Sequence, residues 1–219
     1  MFVGLKMLKD TPTIGPETLV VEADRIMEEN RLWMLMVLTN GKLTGYVTRE
    51  DVRAALPSPA TTLSRHELNY LLDELTVKDV VKGNPPCVSP EMEIERAAQI
   101  MHEQNLAGLA VVDANQRFLG YISRSVMLDV LVEEMGLNQS GSRICIEVED
   151  KSGVMASVTR LLADMGVNII ATATFYHATA RMLVFRIGVE EPEKVVSALK
   201  QEGYRVLGPK DVAREWGCC

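Results

Sequence analysis

The stretch "GYVTRED" at residues 45–51 returns as "GYISRSV" at residues 120–126, with the glycine, the tyrosine, a hydroxyl residue and the arginine at matching places. The match extends upstream, where "PE" at residues 16–17 returns at residues 90–91. The spacing is 74 residues upstream and 75 at the glycine, so the second copy has one extra residue, which falls in the loop "DANQR" (113–117). Such a repeat predicts two copies of one supersecondary unit.

Each copy reads as the same elements in the same order. A helix comes first, marked in the first copy by Ala23, Ile26 and Met27, which recur at helical spacing. A short apolar strand, a return strand and a second helix follow. The turn "TNGK" (39–42) joins the two strands of the first copy, because an Asn-Gly pair accepts the positive φ of a tight hairpin.

The segment between the copies predicts a loop and then a connecting helix. "PSPATT" (57–62) reads as the loop, so we expect the first repeat to span residues 1–62 and the second, with the helix, residues 63–136. Ser64 and Glu67 predict a capping box at the start of that helix. One face of the helix carries four leucines, Leu68, Leu71, Leu72 and Leu75.

Composition narrows the class of protein. The chain has 219 residues, 47% of them hydrophobic and 24% charged, with a net charge of −7. No stretch gathers basic residues into a stripe, which argues against nucleic acid and anionic membranes as partners. The apolar run "LWMLMVL" (32–38) is far shorter than the roughly 20 residues that cross a bilayer. The beginning of the chain lacks a secretory signal pattern, so we expect a cytoplasmic protein.

The cysteines predict free thiols. Cys87, Cys145, Cys218 and Cys219 have neither a disulfide-framework spacing nor a histidine nearby that would complete a metal site. A thiol-dependent enzyme that uses Cys87, or the Cys218–Cys219 pair as a redox centre, is an alternative. No recognisable base is paired with either, and the chain has no GxxxxGK[ST] loop. The sequence therefore favours a protein without a catalytic residue or a metal.

Residues 142–212 change pattern and predict a second kind of domain. Strands and helices alternate in the order βαββαβ: "RICIEV" (143–148), "SGVMASVTRLLADMG" (152–166), "VNIIATATFY" (167–176), "RMLVFRIG" (181–188), "EPEKVVSALKQEG" (191–203) and "YRVL" (204–207). This order is the ferredoxin-like split unit, a four-stranded antiparallel sheet with both helices on one face. Residues 213–219 read as a flexible tail.

The paired pattern that "GYVTRED" closes resembles a tandem of cystathionine β-synthase-type (CBS) domains, which implies an α/β (α+β) fold. In that family a Ser/Thr-x-x-Asp motif contacts an adenosine nucleotide, and Thr48 and Asp51 match it. A carboxylate can accept hydrogen bonds from both ribose hydroxyls. The resemblance also implies Arg49 near the phosphate, and Thr13 and Ile14 beside the base. The structural alternative is that Thr48 only caps a helix whose dipole Asp51 complements.

The second copy keeps Ser123 and Arg124, the counterparts of Thr48 and Arg49, but has Val126 in place of the acid. Valine offers no acceptor to a ribose. We therefore expect the second pocket to bind the nucleotide weakly, to bind a ligand without ribose, or to serve only as packing.

The stretch "EDKSGVMASVTRLLADMGVNI" (149–169) resembles an ACT domain, a small-molecule effector module that often binds amino acids between two copies. The resemblance implies an effector site at Asp150, Gly153, Val154 and Asn168. Gly153 would let a ligand approach the backbone closely. The structural alternative is that Gly153 shapes a turn and Asn168 satisfies nearby backbone groups.

Two CBS-like repeats followed by an ACT-like domain resemble the acetoin-utilisation type of protein. We therefore expect a non-enzymatic, homodimeric sensor that binds AMP, ADP, ATP or a similar adenine nucleotide as a regulatory ligand and not as a cofactor. An amino-acid-like effector would bind the ACT domain, and an unidentified protein would be regulated. The alternatives are the thiol-dependent enzyme and an unliganded oligomerisation scaffold.

Overall fold

The computed structural model describes residues 1–57 and 72–215, together with the single residues 64, 67 and 217. The chain divides into two compact units, Met1–Leu128 and Asp129–Cys219. The boundary falls inside the range 63–136 that the sequence assigned to the second repeat. Ser64 and Glu67 form the predicted capping box, since the Ser64 backbone N–H donates to Glu67 Oε2 at 2.9 Å. His66, Leu68 and Leu71 lie outside the described residues.

The first unit contains the two predicted repeats, except for the end of the last helix, which belongs to the second unit. The first repeat consists of a short 3-10 helix Val3–Leu5, strand β1 Thr13–Ile14, helix α1 Val20–Glu29, strands β2 Met34–Thr39 and β3 Lys42–Thr48, and helix α2 Arg49–Ala55. The second consists of a 3-10 helix Val77–Asp79, β4 Cys87–Val88, α3 Ile94–Glu103, β5 Gly108–Val112, β6 Phe118–Ser123 and α4 Arg124–Glu134. The elements follow in the same order, which confirms the internal repeat.

Each repeat forms a three-stranded mixed sheet. The order is β1-β2-β3, with β1 parallel and β3 antiparallel to β2, and β4-β5-β6 is arranged in the same way. Asn40 and Gly41 have φ angles of 50° and 76°, as the predicted tight hairpin requires. Helix α1 buries the predicted residues Ala23 and Met27, and Ile26 packs against the same core half-buried.

The two sheets of the first unit pack against each other. Met34 and Met36 on β2 form one buried cluster with Ala110 on β5 and Tyr121 on β6. All four side chains are at most 2% exposed. The packing brings one face of each sheet together, so residues of one repeat lie close to the other repeat.

The segment that precedes each repeat's first strand pairs with the sheet of the other repeat. Leu8 pairs with Tyr121 through two backbone hydrogen bonds of 2.8 and 2.9 Å. Lys82 pairs with Tyr46 through two backbone bonds of 2.9 and 3.0 Å. Leu8 and Lys82 are 74 positions apart and hold equivalent places. This exchange positions a residue from each repeat beside the other repeat's motif.

The second unit has the predicted βαββαβ order. Its elements are β7 Ser142–Val148, α5 Val154–Asp164, β8 Ile169–His177, β9 Ala180–Ile187, α6 Glu193–Gln201 and β10 Arg205–Leu207. The strands form an antiparallel sheet in the order β10-β7-β9-β8. Val158 of α5 and Leu199 of α6 lie in one core with Leu183, Phe185 and Ile187 of β9, so both helices cover the same sheet face.

A further helix, α7 Pro209–Glu215, follows the sheet and was not predicted. Proline is favourable in the first turn of a helix, and the Asp211 carboxylate accepts a 2.8 Å hydrogen bond from the Gly208 backbone N–H. The helix includes residues 213–215, so the predicted flexible tail is wrong for these three residues. None of the described helices is long and apolar enough to cross a membrane.

Candidate functional site

The "GYVTRED" motif sits where β3 ends and α2 begins. Thr48 is the cap of α2, and its hydroxyl accepts a 3.3 Å hydrogen bond from the Asp51 backbone N–H. In return, Asp51 Oδ2 accepts a 3.1 Å bond from the Thr48 backbone N–H. The capping role that the sequence left open is therefore present. The cap accounts for hydrogen bonds to only one oxygen of the Asp51 carboxylate, Oδ2.

The Asp51 carboxylate is held on one side only. Oδ2 accepts from the Thr48 backbone N–H, from the Thr48 hydroxyl and from Lys82 Nζ, which lies 2.8 Å away. Oδ1 has no partner among the described residues, and the side chain is 23% exposed. Burial alone would raise the pKa of Asp51, but the hydrogen bonds from Lys82 and Thr48 keep it below its ordinary value. The second oxygen is thus an ionised acceptor open to a ligand.

Arg49 is the first residue of α2 and carries a positive charge directly after Thr48 in the chain. Its guanidinium lies over the ring of Trp33, 5.4 Å from the ring centroid, and its backbone N–H donates to Trp33 O at 2.9 Å. Arg49 Nε is buried without a hydrogen-bond partner in the described structure. The Trp33 side chain is largely exposed. Sequence reasoning treated Trp33 only as part of an apolar run, although a tryptophan at the start of a buried strand is itself a signal.

Thr13 and Ile14 lie toward the same end of the sheet as Thr48. β1 is two strands away from β3, a distance of about 10 Å at the usual strand spacing. Thr13 is half-buried, whereas the Ile14 side chain is 5% exposed and packs in the core of the first repeat. The prediction that Ile14 lines a base is therefore wrong for its side chain, and only its backbone is available.

The second repeat places different side chains on the same backbone. The surroundings of Thr48 and Asp51 are called the first cleft below, and those of Ser123 and Val126 the second cleft. Ser123 Oγ accepts a 3.3 Å bond from the Val126 N–H, so the cap is kept, and the Val126 side chain is buried. Arg124 donates to Asn105 Oδ1 at 2.8 Å. No carboxylate stands at this place, and Leu8 occupies the position of Lys82. The two motifs thus carry different side chains, and unequal binding of a ligand stays a prediction.

Tyr121 lies in the buried cluster between the two sheets. The residue is 1% exposed, and its hydroxyl has no hydrogen-bond partner in the described part of the chain. Burial raises the pKa of Tyr121 well above its ordinary value. A Cβ placed on Gly108 would lie 2.2 Å from the hydroxyl oxygen, so the ring depends on this glycine. In the first repeat, Met34 takes the place of Gly108, and Tyr46, the counterpart of Tyr121, is half-buried.

In the ACT-like unit, Asp150 already has internal partners. Its Oδ2 accepts a 2.7 Å bond from the Tyr176 hydroxyl, and Arg181 Nη1 lies 2.7 Å from Oδ1. The hydrogen bond from Tyr176 and the guanidinium of Arg181 lower the pKa of Asp150 despite the opposing effect of desolvation. An effector that used Asp150 would have to share or displace both contacts.

The other three predicted effector residues do not form one open cluster. Gly153 caps α5 with a φ of 89°, and a Cβ there would meet nothing within 4 Å. Val154 is buried in the core. The Asn168 backbone oxygen accepts a 2.9 Å bond from Gly188 N–H. Open surface therefore lies at Gly153, while the Val154 side chain faces inward.

The described thiols are poor candidates for a catalytic nucleophile. Cys87 is exposed and Cys145 is half-buried, and both are free. Burial raises the pKa of each thiol, which lowers the fraction of thiolate that a nucleophile needs. Cys218 and Cys219 lie outside the described residues. Within the described ranges, no group of three or more His, Cys, Asp or Glu residues could hold a metal ion.

Two curated relatives differ in how much of them the chain spans. A CBS domain-containing protein of Dictyostelium discoideum is 30% identical over 128 residues, which make up 58% of this chain and 88% of that protein. Inosine-5′-monophosphate dehydrogenase of Korarchaeum cryptofilum is 32% identical over 117 residues, 53% of this chain but only 21% of the enzyme.

Two solved structures share the fold. CBSX2 in complex with AMP, a protein of Arabidopsis thaliana, superimposes with a TM-score of 0.50 at 24% identity and covers 60% of this chain and 96% of its own. A putative acetoin utilization protein (AcuB) of Vibrio cholerae gives a TM-score of 0.52 at 21% identity, with coverages of 63% and 95%.

Family comparison assigns the domains. Residues 3–58 and 77–133 match the CBS domain, and residues 142–203 match the ACT domain. The two CBS matches together take up more than half of the chain. The protein therefore belongs to the CBS-domain family, as a tandem CBS pair followed by a C-terminal ACT domain.

Proposed function

We propose that this protein is a non-enzymatic sensor whose CBS pair binds an adenine nucleotide at Thr48 and Asp51. The observation that carries the proposal is the half-engaged carboxylate of Asp51, with Oδ2 fully bonded and Oδ1 open. A ribose offers two neighbouring hydroxyl donors, which suit one ionised oxygen with two lone pairs. AMP is bound by CBSX2, whose fold this chain shares.

The surroundings of Asp51 fit the other parts of a nucleotide. Arg49 is adjacent to Thr48 and supplies a positive charge for a phosphate. Thr13 lies two strands away, about 10 Å across the sheet, and is the residue proposed to lie beside the base. No nucleophile with a paired base accompanies these groups among the described residues, so the site is suited to holding a ligand.

Calorimetry with AMP, ATP and S-adenosylmethionine tests this site. A charge-assisted hydrogen bond is worth about 1.5–3 kcal/mol, so Asp51→Ala and Asp51→Asn should weaken binding by roughly ten- to a hundredfold. Asp79→Ala is the matched control. Asp79 forms the same capping contact with the Thr76 backbone N–H, at 3.0 Å, without the open cleft. It should lose stability and keep affinity.

Two results would contradict the nucleotide site. Unchanged affinity in both folded Asp51 variants would leave Asp51 as a cap only. Absence of binding by every nucleotide to the wild-type chain would favour the unliganded scaffold.

We further propose that the ACT domain makes the protein a homodimer and binds an amino-acid-like effector near Gly153. β8 lies at the edge of its sheet, and its residues Phe175 and Tyr176 are exposed, as on a strand that pairs with another chain. The shared fold with the Vibrio cholerae protein supports a link to acetoin utilisation. The cytoplasmic location and the regulated partner protein stay predictions. Light scattering at micromolar concentration tests the dimer, and a monomer would remove the basis for an intersubunit effector site.

A further inference from the structure

The contact between Asp51 and Lys82 joins the two repeats. Asp51 belongs to the first repeat, whereas Lys82 belongs to the segment that leads into the second. The backbone of Lys82 pairs with Tyr46, which places its ammonium 2.8 Å from Asp51 Oδ2. Sequence reasoning missed Lys82 because it lies 31 positions from Asp51 and no local pattern marks it.

The residues at the equivalent places in the second repeat are apolar, with Leu8 43% exposed and Val126 buried. Leu8 pairs with Tyr121 through the same two backbone bonds that Lys82 makes with Tyr46. Val126 follows Tyr121 by five positions, as Asp51 follows Tyr46. The backbone is thus repeated while both charged residues are replaced, the acid by Val126 and the lysine by Leu8. The first cleft therefore has two charged residues where the second has two apolar ones.

Lys82 helps to hold Asp51 by one carboxylate oxygen, Oδ2, so that the other, Oδ1, stays free. The Lys82 ammonium and both Thr48 donors converge on Oδ2, which fixes the carboxylate and leaves Oδ1 unengaged. The ion pair also opposes the effect of burial, so the acid stays charged. Without Lys82, two bonds from a single neighbouring residue would hold the carboxylate, and its desolvation would be less compensated.

We propose that an acid–lysine pair assembled from both repeats recognises the ribose, with Lys82 as the positioning residue of Asp51, and that the second cleft, where Leu8 and Val126 replace both charged residues, lacks this recognition. The inference rests on the proposed nucleotide site at Asp51. It adds that a second repeat must be in place before the first repeat's motif is complete.

The first test measures recognition of the ribose hydroxyls. Calorimetry compares AMP with 2′-deoxy-AMP in the wild type, Lys82→Met and Lys82→Arg. We expect Lys82→Met to lower the affinity for AMP by roughly three- to tenfold, because the ion pair is partly exposed. The ratio of the affinities for AMP and 2′-deoxy-AMP should fall as well. Lys82→Arg keeps the positive charge, so its affinity for AMP and its preference for AMP over 2′-deoxy-AMP should stay close to those of the wild type. Lys78→Met is the matched control, because Lys78 lies in the same segment but pairs with Glu17 at 3.1 Å.

The outcomes separate this inference from the proposed function. A wild type that binds neither nucleotide contradicts both. A wild type that prefers AMP through Asp51, with the same preference in Lys82→Met, overturns the inference alone. Equal losses in Lys82→Met and Lys78→Met overturn it as well, since they would indicate a general effect of charge.

The second test transplants the pair. We expect the double variant Leu8→Lys with Val126→Asp to bind two nucleotides per chain where the wild type binds one. Val126→Asp alone should add no second site, because its buried acid would lack a partner. A second site in that single variant, or none in a folded double variant, would refute the role given to the pair. If circular dichroism shows the double variant unfolded, the Lys82 series decides.

Discussion

Replacing Tyr121 by phenylalanine should make the CBS pair more stable. The Tyr121 hydroxyl is buried between the two sheets and has no partner among the described residues. A buried polar group without a hydrogen bond costs about 1–3 kcal/mol, and removing it restores an apolar contact of nearly the same shape. We therefore expect Tyr121→Phe to raise the free energy of unfolding of the first unit by about 1–2 kcal/mol.

Thermal and urea unfolding measure this change. For a unit of this size, 1 kcal/mol corresponds to roughly 3–5 °C in Tm. Tyr46→Phe is the matched control, because Tyr46 holds the equivalent place in the first repeat but is half-buried. Its effect should stay within about 0.5 kcal/mol. Because the chain has two units, the transition of the CBS pair must be followed separately from that of the ACT domain.

A Tyr121→Phe variant that is less stable than the wild type by about 1 kcal/mol would refute the reasoning. That result would mean that the hydroxyl is hydrogen-bonded in solution, for example to an ordered water. The cluster between the two sheets would then contain a satisfied polar group, and its description as purely apolar packing would no longer stand.

Three further predictions concern single features. Gly153→Ala should lower the stability of the ACT domain by about 1–2 kcal/mol, because φ there is 89°, and calorimetric scanning should leave the CBS transition unchanged. The lowered pKa of Asp51 means that its contribution to stability is present above about pH 4 and is lost as the pH falls through the folded-state pKa, so urea unfolding of wild type and Asp51→Asn should converge in acid. A chain truncated after Trp216 should keep its fold and its nucleotide affinity, as circular dichroism and calorimetry would show.

The order of the elements could be predicted because local signals agree with one another. Ala23 and Met27 recur at helical spacing and are buried as predicted. The Asn40–Gly41 turn adopts the conformation that its residue types favour. The last third of the chain alternates between strand and helix patterns, which suffices for a βαββαβ unit. In each case the decisive interaction lies within a few residues.

Contacts between distant segments could not be predicted. Asp150 bonds to Tyr176 and Arg181 because β8 and β9 are paired in one particular register, and spacing along the chain does not give that register. Ile14 was placed beside a base from resemblance, but strand alternation turns its side chain into the core. Helix α7 is different, since "GPKD" at residues 208–211 carries a local start signal that was overlooked.

The charged pair in the first cleft is not explained by stability. Lys82 and Asp51 are 48% and 23% exposed, and ion pairs in such positions contribute about 0–1 kcal/mol. The second cleft places Leu8 and Val126 on the same backbone, and burial of Val126 stabilises the fold without any desolvation of charge. Packing alone would therefore favour valine over aspartate at this position, whereas Leu8 is 43% exposed and gains little from packing. The proposed nucleotide, held by the open oxygen of Asp51, would account for a charged pair in the first cleft.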